Sequence, residues 1–297
     1  MKIRDVTIVP EKRDAEMTQP RAAHRRVWLV ADDYGISPAV NAAIRDLAAR
    51  RRLSATSVMV AAPSFDRTEA AQLAALGATT TFAIGLHLTL TAPFRPLSGG
   101  FQPSRGGAFL PLAALMGRAA LGRLDRPALA AEIAAQLAAF HAAFGRSPDF
   151  VDGHQHVQLL PAVGETLLAA MTEAAPRAWV RQCGRADALV RRLSDPKGLL
   201  LDFLSRRFRD RAAAVGIRTN PAFAGTYDYG ARMPIAELFP QFLDGMPDGG
   251  VVMCHPGRID HELERLDPLT DLREQEHVYL AGDEFAALLR QQGVTLA

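Results

Sequence analysis

Short apolar runs of β character alternate with helix-patterned stretches along this chain, and four of the runs end in or carry a polar motif. VWLVA leads into Asp32-Asp33, and TFAIGLHLTL carries His87. DFV leads into Asp152-Gly153-His154-Gln155-His156, and GGVVMC leads into His255. Strands alternating with helices at this rhythm imply βαβ units and a parallel sheet. Carboxylates and imidazoles at the ends of separate strands are what a barrel or an open α/β sheet needs to converge a metal site. The pattern therefore points to a metal-dependent hydrolase.

Local signals place the elements. Val27–Ala31 is a buried strand, and Ser37-Pro38 an N-cap and first helical position, with Val40, Ile44 and Leu47 continuing at helical spacing to about Arg51. Ser57–Ala61 reads as a strand, Thr68–Leu76 as an Ala-rich helix ended by Gly77, and Thr80–Leu90 as the strand with His87. Leu129, Ile133, Leu137, Phe140 and Phe144 form one stripe, which predicts a helix over Pro127–Phe144 stopped by Gly145. Further strands are expected at Phe150-Val151, Ala178–Arg181, Gly250–Cys254 and Val294–Leu296. Further helices are expected from Pro161 to about Glu173, over 186–214, over Ile235–Leu243 and over Asp283–Gln291. Pro93–Pro111 and Asn220–Gly230 read as long loops, which in compact domains are uncommon and often functional.

The length of 297 residues suits one α/β barrel. Residues 27–297 read as a single domain behind a flexible charged extension over 1–26, since no linker or repeat interrupts them. A net charge of +2, from 34 Lys and Arg against 32 Asp and Glu, gives no footprint for nucleic acid. Two cysteines exclude a disulfide framework and a Cys-rich zinc site. Cys254 stands beside His255, but neighbours on a strand point to opposite faces, which argues against a thiol–imidazole pair. No run of about 18 apolar residues appears, so no membrane-spanning helix is expected. The first 26 residues do not read as a signal peptide, and a cytoplasmic location is the expectation.

A hydrolytic metal ion takes roughly three protein ligands from His and carboxylate and keeps one position open. Asp33, His87 and His154 supply that set from three separate strands. Asp32 and Asp33 would diverge in a regular strand, but at a bend both can face one cavity, and Gly35 permits the turn. One carboxylate then binds metal while the other holds the attacking water. His156, two residues from His154, shares its face on a strict strand and is a second ligand, a supporting group or a buried hydrogen-bonded histidine. Asp152 is placed to orient a histidine.

In order, ADDYG, GLHLTLT, DGHQHVQLLP and MCHPG resemble the motifs of the YdjC-type carbohydrate deacetylases, a family with chitooligosaccharide-directed and hopanoid-associated branches. The resemblance runs from about Val27 to the C-terminus. It implies a distorted (β/α) barrel of the polysaccharide-deacetylase type, with Asp33, His87 and His154 as metal ligands, Asp32 as catalytic base and His255 as general acid. Arg181, after AWV, resembles the arginine that braces the catalytic aspartate. One divalent ion is expected: the Asp/His/His donor set suits zinc or another transition ion, and the resemblance adds magnesium, implies an N-acetylated sugar as substrate and allows a homodimer. Two departures stand out: HQHVQ replaces the His-rich HHHVH, and Tyr34 replaces a phenylalanine and adds a hydroxyl near substrate.

The substrate loops are expected to be Pro93–Pro111 and Asn220–Gly230, with Phe223, Tyr227 and Tyr229 either stacking on a sugar ring or packing the loop down on the body. Three other readings compete. In the first, a lipid-linked amino sugar is the substrate and the basic 186–214 region, with Leu200, Leu201 and Phe203, makes a peripheral membrane contact. In the second a non-sugar amide is hydrolysed. The third is a non-catalytic sugar-binding barrel, which retention of the whole Asp/His set opposes.

Overall fold

Apolar runs buried on both faces become parallel strands only when helices cover the sheet. The chain follows that rule in a computed structural model, which describes residues 24–79, 81–99, 101, 106–185, 196–227 and 233–297. The strands are β1 (Arg25–Tyr34), β2 (Ala55–Val58), β3 (Ala83–Leu88), β4 (Phe150–Gly153), β5 (Trp179–Val180), β6 (Phe223–Ala224), β7 (Gly250–Cys254) and β8 (Val294–Leu296). Their order is β5-β4-β3-β2-β1-β7-β6, every pairing is parallel, and β8 pairs with the first residues of β1. Bridges from Val180 to Thr219 and from Arg185 to Phe223 bring the chain after β5 alongside β6, so the curled sheet bends back on itself. This is a distorted (β/α) barrel.

The helices are α1 (Pro38–Ala49), α2 (Arg67–Thr79), α3 (Leu112–Ala120), α4 (Arg126–Phe144), α5 (Val163–Ala174), α6 (Pro196–Ala214), α7 (Ile235–Leu243), α8 (His261–Leu266), α9 (Asp271–Ala281) and α10 (Asp283–Gln291). Ser37 caps α1 by accepting from the Val40 amide, as its sequence position suggested. The expected stripe of α4 is buried at Leu129, Ile133, Leu137 and Phe140, and Gly145 ends the helix at φ 65°. At 19 residues α4 is also long and apolar enough to cross a membrane by length and composition.

Several expectations move. β1 starts at Arg25, inside the supposed extension, whose residues 1–23 lie outside the described residues, as do Arg191, Arg192 and Tyr229. β2 ends at Val58, so most of the run Ser57–Ala61 lies beyond the strand. Gly77 falls within α2 rather than after it. α3, α8 and α9 were not expected. In α9 the buried positions are Arg273, Glu276, His277 and Leu280, so the helical stripe is made mostly of ionisable residues and leaves no apolar period to read.

Candidate active site

The site begins with an irregularity in β1. Ala31 pairs with Thr56 and Tyr34 with Val58, so three steps along β1 match two along β2. The extra residue sits at Asp33, whose φ is +68°. A bulge of this kind re-aims side chains, and aspartate tolerates the left-handed region better than most residues. Both carboxylates consequently turn toward His87 at the C-terminal ends of the strands, with Asp32 2% and Asp33 1% exposed.

Asp33 reaches toward two histidines. Its Oδ1 lies 3.0 Å from His154 Nδ1 and 3.2 Å from His87 Nε2. The other ring nitrogen of His87, Nδ1, is 2.6 Å from Asp152 Oδ1 and 3.0 Å from Ser57 Oγ. Asp152 thus takes the orienting part expected of it and leaves Nε2 turned to Asp33. Burial opposes a charge on His87, but Asp152 and Asp32 carry its pKa from 6.5 up to about 10. Burial would likewise raise Asp33, yet Arg273 and His154 hold it well below the usual carboxylate range.

Asp32 faces a different partner. Arg181 donates from Nη1 to Oδ1 at 2.9 Å and from Nη2 to Oδ2 at 2.6 Å, a two-point grip that adds geometry as well as energy. The same Nη2 is 2.9 Å from Asp152 Oδ2. Arg181 is therefore wedged between two buried carboxylates. Burial works against ionised Asp32, while Arg181 and then His87 lower its pKa.

The donor atoms can be tested for fit to a metal ion. Among the described residues, Asp33, His87 and His154 form one group whose ligand atoms lie within 4.8 Å of one another, and Asp32, His87 and Asp152 form another. Arg181 already lies on both carboxylates of the second group, so a cation there would meet a guanidinium. In the first group, the 3.0 and 3.2 Å separations match the edges of a coordination shell with bonds of about 2.0–2.2 Å. Two imidazoles and one carboxylate oxygen suit a divalent ion.

The remaining expectations divide. His255 follows β7, and its main-chain N–H donates to Glu276 Oε2 at 2.5 Å. His154 and His156 do not share a strand face: they lie in a 3-10 turn, His154–Leu159, with Gln155 and His156 at positive φ. His156 Nδ1 instead lies 3.5 Å from Cys183 Sγ, and its ring meets Phe223 edge-on. Burial and then Arg181 push its pKa down to about 3, so it stays neutral.

Burial turns Phe223 and Tyr34 away from a sugar, while Tyr227 is half-buried. Phe223 is 1% exposed and packs behind the site, with Arg181 5.7 Å above its ring. Tyr34 is fully buried, and its hydroxyl donates to Glu69 Oε2 at 2.6 Å, between α1 and α2. Tyr227 donates to Glu276 Oε1 at 2.7 Å. Phe94, in the long loop after β3, meets the His154 ring edge-on at 5.6 Å. That loop is tied down by buried Glu132 of α4, which accepts from the Leu97 and Ser98 amides at 3.1 and 2.8 Å.

The residues that the sequence did not mark are Arg273, Glu276 and Ser57. Arg273 and Glu276 stand in DLREQEHVYL, a charged run with nothing to show that two of its ions are buried.

The model of the YdjC-like protein family matches residues 26–291. The chain belongs to that family. A chitooligosaccharide deacetylase from Yersinia pestis is 31% identical over 239 residues, covering 78% of this chain and 82% of its own length. A carbohydrate deacetylase from Homo sapiens is 29% identical over 258 residues, covering 81% of this chain and 76% of its own. Among solved structures, a protein described provisionally as a cellobiose-phosphate cleavage protein from Enterococcus faecalis V583 superposes with a TM-score of 0.72. It is 20% identical and covers 93% of this chain and 97% of its own, a likeness in fold. Within the YdjC-like family's span lie all of Asp32, Asp33, His87, His154, Arg181 and His255.

Proposed function

We propose that this YdjC-like protein is a metal-dependent carbohydrate N-deacetylase, which hydrolyses the acetamide of an N-acetylated amino sugar or oligosaccharide to acetate and a free amine. The observation that carries the reading is the division of labour at the β1 bulge. One aspartate faces two histidines and its neighbour is gripped by an arginine, with His87 common to both clusters. The relatives named as chitooligosaccharide and carbohydrate deacetylases support the substrate class.

Asp33, His87 and His154 would hold the ion, which supplies Lewis acidity and a water nucleophile at neutral pH. Its donor set suits zinc or another transition ion, and the family resemblance adds magnesium. Arg181 keeps Asp32 ionised and fixes both of its oxygens, at some loss of basicity. Asp32 accepts a proton from the water that adds to the acetamide carbonyl carbon. His255 delivers a proton to the leaving nitrogen as the C–N bond breaks. The balance is one amide and one water in, and one acetate, one amine and one proton out.

The test is acetate release from N-acetylated chitooligosaccharides by protein stripped with a chelator and then given zinc, magnesium or cobalt. Release should return with metal. Asp32→Asn should lower it by roughly 10²–10⁴-fold while metal stays bound. Near-normal release by Asp32→Asn would remove Asp32 as the base. Release that ignores metal would remove the metal.

A further inference from the structure

Helix α9 lies outside the four motifs, yet it touches the site twice. Arg273 and Glu276, three residues apart and so on one face, are 0% and 1% exposed. A helix that had only to pack would bury apolar side chains there, because an ion taken out of water is costly unless it is well paired.

Arg273 is fixed at three points. Its Nη2 lies 2.6 Å from Asp33 Oδ2 and 2.7 Å from Asp267 Oδ2, and its Nε donates to the Leu269 carbonyl at 3.0 Å. It therefore occupies the one Asp33 oxygen that does not face the histidines. Apart from the two histidines on Oδ1, which a bound ion would take over, Arg273 is the group that sets the rotation of this carboxylate. With Oδ2 held, only Oδ1 is offered to the space between His87 and His154. Glu276 acts on the other wall, accepting from the main-chain N–H of His255 and from the Tyr227 hydroxyl.

We infer that α9 is a strut of the active site, with Arg273 a positioning residue that turns a single oxygen of Asp33 toward His87 and His154. The inference rests on the metal-dependent reading given above. Position and charge make opposite demands on metal affinity. A cation beside a ligand carboxylate repels a metal ion, so if Arg273 acted by charge alone, Arg273→Met would bind metal more tightly. If Arg273 acts by position, the variant binds more weakly, by the roughly 10–100-fold typical when a group supporting a ligand is lost.

The experiment titrates Co²⁺ into metal-stripped wild-type protein, Arg273→Met and Arg273→Lys, following heat and the cobalt absorption spectrum. Weaker binding and an altered spectrum in Arg273→Met are expected, with Arg273→Lys between it and the wild type. Asp267→Asn, which removes a second anchor of the guanidinium, should shift affinity in the same direction by less, and it decides the question if Arg273→Met does not fold. Equal or tighter binding in the folded variant overturns the assignment of Arg273 and leaves the deacetylase reading standing. Failure of the wild type to bind cobalt overturns both.

Discussion

On the β1–β4 side of the sheet the functional groups ride on paired strands. His87 and Asp152 are direct neighbours in the β3–β4 ladder, and Asp32 and Asp33 lie in the ten-residue β1. On the β5–β7 side, β5 and β6 are two residues each, and Arg181 comes after its strand has ended. There side chains add to the main-chain hold: β7 pairs with β1 up to Cys254 and the Arg181 amide donates to the Val151 carbonyl, but Asp32 and Asp152 grip the Arg181 guanidinium and Glu276 accepts from the main chain of His255. The first side is positioned by register, which many main-chain bonds share. The second depends on a few ion contacts gathered on one guanidinium, and one substitution can undo it.

The largest effect should come from breaking the second side. Arg181→Met leaves Asp32 and Asp152 buried without the guanidinium they share, and removal of one partner of a buried ion pair costs about 3–5 kcal/mol. Urea unfolding measures this, and acetate release should disappear with it. An unchanged urea midpoint would mean that the ions are not what holds this side together.

Metal removal sharpens the comparison through pH. The pKa of metal-free His87 in the folded protein, about 10, lies above its unfolded value of 6.5. Its contribution to stability is therefore complete below the unfolded value and lost as pH rises through the folded one. The Tm of stripped protein should fall between pH 6.5 and about 10, and His87→Gln should flatten that slope. A level or rising Tm across this window would contradict a charged His87 in the ladder.

A steric change probes the register side. A Cβ on Gly85 would come within 2.5 Å of the Phe150 ring, which is itself stacked on Trp179 at 4.7 Å and has little room to yield. Gly85→Ala should cost about 1–3 kcal/mol by overpacking. Because the strain falls between β3 and β4, two residues from His87, metal affinity should drop as well, measured by cobalt titration. Wild-type affinity would show the ladder to be more compliant than the paired strands suggest. The smallest effect belongs outside both sides. Asp125 caps α4 by accepting from the Ala128 amide, so Asp125→Ala should lower stability by about 1 kcal/mol with acetate release per folded molecule unchanged.

Much of the register side was legible beforehand, because strand character, capping and strand-end motifs are local properties. The Asp33, His87 and His154 set was read from three strand ends, and α1 and α4 from their caps and apolar stripes. The aromatics were read less well. Phe223 and Tyr34 looked available to a sugar because a sequence shows residue type and not direction, and both are spent on packing. His156 was read on a strand that ends at Gly153.

By itself, the sequence determined the alternation of strands and helices, the family, and the types of group that meet at the strand ends. Each of these is encoded in a few neighbouring residues. Only the tertiary structure decided which oxygen of Asp33 faces the histidines and that α9 braces the site. Arg273 is 240 residues from Asp33, and two charged residues on a charged helix acquire a role only when folding buries them against a partner that far along the chain.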